Sequence, residues 1–127
     1  MQLRTHDPSE VPEAIGGYTN GLEVQNASRL LFISGQIPQE ASGDLPTTIE
    51  GQCRQAWANV LGTLAAAEMA VPNLIKVTTF LGDRSYAAVN REVRREILGE
   101  HRPALTVIVA DIFDPNWMLE IEAVAAD

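Results

Sequence analysis

Residues Thr47–Leu81 read TTIEGQCRQAWANVLGTLAAAEMAVPNLIKVTTFL, and this stretch decides the fold because two hydrophobic periods meet inside it. In its first part Ile49, Cys53, Ala56, Trp57, Val60, Leu61 and Leu64 recur at helical spacing. They follow Thr47 with Glu50 three residues on, the pattern of a capping box. This predicts a helix from about Thr48 to Met69. After the breaker Val71-Pro72-Asn73 comes the β-branched, apolar run Leu74–Leu81, which predicts a strand. With Leu30–Ser34 as the preceding strand, strand, helix and strand imply a right-handed crossover.

Working outward, Gln2–Thr5, Leu22–Gln25 and Leu30–Ser34 read as strands before the helix, and Ala104–Ala110 and Met118–Ala125 as strands after it. Between Leu81 and Ala104, Ser85 is a candidate cap for a second helix whose buried stripe would be Tyr86, Val89, Val93 and Ile97, with Gly99 as its left-handed stop. The last two strands are close enough in sequence for a hairpin. The order βββ-α-β-α-ββ predicts one α+β domain over residues 1–127, a two-layer arrangement of a mixed six-stranded sheet with two helices on one face. LLFIS (Leu30–Ser34) and LTVIV (Leu105–Val109) offer apolar side chains in both directions, so the uncovered face is expected to pack against another subunit.

Composition narrows the partners. Seventeen acidic residues against nine basic ones give a net charge of −8, without a basic block, which argues against nucleic acid and anionic membranes. A lone cysteine, Cys53, and an opening MQLRTHDPSE without an apolar core point to a reducing, cytoplasmic setting. His6 and His101 are far apart and form neither a metal-ligand spacing nor a catalytic triad. Cys53 falls on the apolar stripe of the first helix, where a small thiol serves packing. Ile15-Gly16-Gly17-Tyr18 follows no strand and opens no helix, so it is not a dinucleotide loop. We expect no cofactor and no metal.

Four segments, taken together, resemble one family. Ala14-Ile15-Gly16-Gly17-Tyr18-Thr19-Asn20, Phe32-Ile33-Ser34-Gly35-Gln36-Ile37-Pro38, Arg102-Pro103-Ala104 and Leu119-Glu120-Ile121-Glu122-Ala123-Val124-Ala125 are similar in order and spacing to the RidA/YjgF family. Asn90 stands at that family's Val-Asn motif. The resemblance implies a homotrimer with ligand clefts between subunits and, for the archetypal members, hydrolysis of 2-aminoacrylate or its imine tautomer without metal or cofactor. It also implies roles. Tyr18 of the glycine loop, Ser34 and Gly35 would line the cleft with Asn90, and Glu120 would be the catalytic residue handling water and proton transfer. Tyr18, Ser34 and Gly35 have a second reading as turn and strand-end residues that hold the fold, and Glu120 with Glu122 has one as a solvated sheet face.

One position departs from the pattern. Where the family's Pro-Ala-Arg places an arginine against the substrate carboxylate, this chain has Pro103-Ala104-Leu105. Losing one partner of a buried charged pair costs about 2–5 kcal/mol. On the transition state that is on the order of a thirtyfold to several-thousandfold loss of rate. Arg102 lies an odd number of residues upstream on extended chain, on the opposite face and about 10 Å away, so it is a poor substitute. Leu105 would wall the cleft. These residues therefore predict a small-molecule cleft with weak or absent 2-aminoacrylate deaminase activity, and a ligand that is neutral or weakly polar around Leu105 and engages Glu120 through a hydrogen-bond donor. Imine or enamine hydrolysis, or related acid–base chemistry through Glu120, is its catalytic option. A residual 2-iminobutanoate/2-iminopropanoate deaminase and a non-enzymatic ligand-sensing or partner-binding trimer are the alternatives. Ribonuclease activity, attached to relatives under an older name, fits an acidic chain least.

Overall fold

A computed structural model describes all residues 1–127. Its elements are β1 (Gln2–His6), β2 (Gly21–Gln25), β3 (Leu30–Gln36), α1 (Ile49–Ala66), β4 (Leu74–Leu81), α2 (Ala87–Leu98), β5 (Ala104–Val109) and β6 (Leu119–Ala126). The α+β order is the one read from the sequence, and β4 has the expected bounds. Helix α1 begins one residue later than the capping box suggested. Thr48, not Thr47, is the cap, and its Oγ1 accepts from the Gly51 amide at 3.0 Å, which leaves Glu50 in the first turn beside the positive end of the helix dipole. The helix stops short of Met69 because Glu68 turns left-handed at φ 58°, and the amides of Ala67 and Met69 both return to the Leu64 carbonyl.

The sheet corrects two expectations. The six strands do not form a single sheet: β1 and β2 pair with each other, and the other four run in the order β3-β6-β4-β5. Only the Thr19–Ala104 bridge brings the chain beside β2 to the edge of the larger sheet. The last two strands are not a hairpin either. Strand β6 inserts between β3 and β4, antiparallel to both, while α2 carries the chain from β4 to a parallel β5. The segment between β5 and β6 therefore passes the end of β4, where Ala110 N–H donates to the Leu81 carbonyl and Gly82 N–H to the Met118 carbonyl.

Strand alternation sorts the two faces. Leu119, Ile121, Ala123 and Ala125 of β6, with Val77, Thr79 and Leu81 of β4, are buried on the helix side, where they meet Cys53, Ala56, Trp57, Val60 and Leu64 of α1. Glu120 and Glu122, and their partners Phe80 and Thr78, face away from the helices. Leu30 and Phe32 of β3 are exposed, Phe32 by 73%, so the uncovered face carries the apolar surface that the sequence predicted.

Helix α2 differs from its expected form. Asp83, not Ser85, supplies the side-chain cap, accepting from the Ser85 amide at 2.8 Å ahead of a single 3-10 turn. The buried positions are Asn90, Val93, Arg94 and Leu98, a stripe rotated toward the polar residues of the helix. Gly99, at φ 57°, ends it as foreseen, with its amide on the Arg95 carbonyl.

Candidate functional site

The residues singled out in the sequence fall into two groups on opposite sides of the sheet. On the uncovered face, Glu120 lies directly over Gly35. A Cβ added at Gly35 would fall on Glu120 Oε1 and within 2.8 Å of Cδ, so only glycine admits the carboxylate there. The register shift between Ile33 and Gln36 places this approach. Glu120 is half-buried, and while its backbone belongs to the β4–β6 ladder its carboxylate forms no ion pair with the chain's own cations. Ser34 is exposed beside it, in a neighbouring hollow of about 350 Å³ shared with Phe32, Lys76, Thr78 and Glu122.

On the helix side, at the β5 edge, Tyr18, Asn90 and Leu105 come together in a pocket of about 220 Å³. Leu105 pairs with Val77 and points, like it, toward the helices. Two consecutive glycines bring Tyr18 in. Gly16 and Gly17 have φ of 116° and 83°, which L side chains rarely adopt, and the turn then runs into Thr19, whose amide donates to the Pro103 carbonyl. Asp7 secures the far side of this loop by accepting from Thr19 Oγ1 and the Asn20 amide, each at 2.7 Å. Those two bonds, the backbone one first, hold its carboxyl below the usual value.

Sequence reasoning missed a further residue in this pocket. Arg94 lies one turn after Asn90 on α2, and only 4% of it is exposed. One Nη donates to the Gly16 carbonyl at 3.1 Å, while Nε is buried without a partner, as is Asn90 Oδ1. None of the ion pairs of the chain includes Arg94. Burial first, then Arg91 and Arg95, push its pKa down, with Tyr18 acting the other way. The sequence signal was weak, because hydrophobic periodicity assigns an arginine to the solvent face. Arg102, the cation weighed from the sequence, does not line this pocket and instead borders hollows shared with Glu13.

The remaining candidates serve structure. Burial pushes the Cys53 thiol up to about 11, away from a nucleophile's range. The His101 ring is within 2.6 Å of the Leu74 carbonyl, and the His6 ring contacts the Glu23 carboxylate. No group of three or more His, Cys, Asp or Glu side chains converges as a metal site, and no helix is long and apolar enough to cross a membrane.

Comparison with known proteins agrees with the fold and with the family resemblance. The Yersinia pestis Rid-family protein YyfB superposes with a TM-score of 0.87 over 100% of both chains at 24% identity, a likeness of fold. The crystal structure of Escherichia coli TdcF with bound serine superposes with a TM-score of 0.73 at 30% identity, covering 98% of each chain. The 2-iminobutanoate/2-iminopropanoate deaminase of Escherichia coli is 29% identical over 96% of each chain. The model of the family described as Endoribonuclease L-PSP matches residues 8–127, and with it the chain belongs to the RidA/YjgF family.

Proposed function

We propose that the protein acts as a RidA-type homotrimer whose cleft joins the Tyr18–Asn90–Leu105 pocket of one subunit to the Gly35–Glu120 face of the next. The observation that carries this reading is the division of the site: groups that would act on one small molecule lie on opposite faces of a single sheet, and a neighbouring copy is the simplest way to bring them together. The exposed Leu30 and Phe32 give that copy an apolar surface to cover.

In the cleft Glu120 is the acid–base residue. For an imine, water adds to the carbon of C=N as Glu120 takes one of its protons and passes it to nitrogen; the hydroxyl proton of the resulting carbinolamine then follows through Glu120 to nitrogen, and ammonia leaves as the carbonyl forms. Leu105 contributes an apolar wall in place of a guanidinium, so β5 itself presents no two-pronged partner to a carboxylate, and the arginines of the pocket, Arg91 and Arg94, come from α2 instead. Hydrolysis of 2-aminoacrylate is therefore slow. The net charge of −8 disfavours RNA as substrate, despite the family's description as an endoribonuclease.

Two measurements test this reading. Sedimentation at low micromolar concentration is expected to give a species of three chains. Ammonia release from 2-aminoacrylate generated in situ is expected to be close to the uncatalysed rate, to rise at least thirtyfold in Leu105→Arg, and to lose that gain when Glu120→Gln is added. A stable monomer removes the shared cleft. Rapid turnover by the unsubstituted protein removes the role given to Leu105.

A further inference from the structure

We infer that an ion pair between copies, Lys76 of one subunit on Glu122 of the partner subunit, fixes the register in which two subunits meet across the cleft. This rests on the cleft reading above and names the polar contact that holds its two halves together.

The charged groups of the uncovered face carry the inference. Thr78 pairs with Glu122 on one side and Thr106 on the other, and Phe80 pairs with Glu120 and Ile108, so these side chains share one face with Lys76, which alternates with Thr78 along β4. Lys76, Glu120 and Glu122 are thus set on a face where Leu30, Phe32 and Ile108 are exposed, and none of the three takes part in an ion pair of its own chain. Covering such a face with an apolar partner would strand all three charges, and an uncompensated charge in an interface is costly. A second copy avoids that cost because the face carries both signs and can complement itself.

Position decides which charges meet. Lys76 and Glu122 border the same hollow of about 350 Å³ but do not pair across it. Lys76 leans away, its Nζ donating to Thr106 Oγ1 at 2.7 Å on the β5 side of β4, while Glu122 stays on the β6 side. The cation is therefore displaced toward one edge of the sheet and the carboxylate toward the other. The cleft reading lays the β5 edge of one subunit over the β3–β6 part of the next. That same placement carries the Lys76 ammonium, with its remaining donors, onto Glu122 of the partner subunit. Around a closed ring of three, each subunit gives its lysine to one neighbour and its carboxylate to the other, and Glu120 alone is left to face the ligand. A pair of this kind sets register, because a slipped arrangement opposes like charges.

Charge reversal followed by sedimentation across a dilution series tests the inference. Lys76→Glu and Glu122→Lys are each expected to raise the concentration at which the oligomer dissociates by roughly a hundredfold or more, and the doubly reversed chain to recover most of that loss. Mixing the two single variants is expected to give oligomers that contain both chains at concentrations where neither assembles alone. Single reversals that assemble like the unsubstituted protein, or a double reversal no firmer than its singles, overturn the inference. So does mixing without effect, which would place the pair within one chain. If a reversal fails to fold, Lys76→Met, Glu122→Gln and their combination decide: the combined chain is expected to assemble more firmly than either single, and effects that simply add overturn the inference. Failure of the cleft reading looks different, since the unsubstituted protein is then a monomer at every concentration.

Discussion

Helix α1 buries Gln52 and satisfies it fully, whereas α2 buries Asn90 and Arg94 about as deeply and leaves both incomplete. Gln52 Oε1 accepts from the Met118 amide at 2.7 Å, and its Nε2 donates to the carbonyls of Pro46 and Asn116. That side chain joins the start of α1 to the loop before β6. Asn90 Oδ1 and Arg94 Nε have no partner although only 2% and 4% of these residues are exposed. Depth of burial is the same in the two helices, so burial does not separate a structural polar group from a functional one. Hydrogen-bond completeness does not do so alone, because Trp57 Nε1 of α1 and Thr79 Oγ1 of β4 are also buried without a partner; Asn90 and Arg94 differ from these in lining a pocket. An unpaired buried group lowers stability.

The contrast has consequences that stability measurements can test. Gln52→Leu leaves an amide and two carbonyls without partners and is expected to cost about 3 kcal/mol. Urea denaturation at fixed protein concentration measures it, and a loss below about 1 kcal/mol would mean that water replaces the side chain. Arg94→Met fills the same space without a charge. It is expected to leave stability unchanged or to raise it by about 1 kcal/mol, since an apolar replacement removes an uncompensated desolvation cost. A loss above about 2 kcal/mol would make Arg94 a structural residue like Gln52. The smallest stability change belongs to the other face of the sheet. In Gly35→Ala the new methyl meets the end of a flexible side chain, so stability should fall by less than about 1 kcal/mol while the Glu120 carboxylate is displaced. Any turnover that depends on Glu120, measured in the Leu105→Arg background, should fall with it.

How much of this was legible in the sequence follows from the same physics. Strand β4 was read with its observed bounds because an eight-residue β-branched run between a proline turn and a glycine has one interpretation. Strand order was not, since the insertion of β6 between β3 and β4 is a long-range pairing that no local pattern encodes. The α2 stripe was read through Val89, Val93 and Ile97 because periodicity counts apolar residues, and the face that enters the pocket carries Asn90 and Arg94. For that reason the family motifs located Tyr18, Asn90 and position 105, and the structure located their cationic neighbour. The site's division between two faces was equally hidden. Glu120 and Leu105 lie on adjoining segments of sequence, and only the register of β4 with both of its neighbours shows that they point apart.

The contact between Gly35 and Glu120 also governs how this sequence can drift. The two positions are far apart along the chain but share one volume, so a change at one constrains the other. A lineage that gains a side chain at 35 forfeits the long carboxylate at 120, whereas one that first shortens 120 releases 35 from glycine. The order of the two changes therefore matters, and aligned relatives should vary at these positions jointly or at neither.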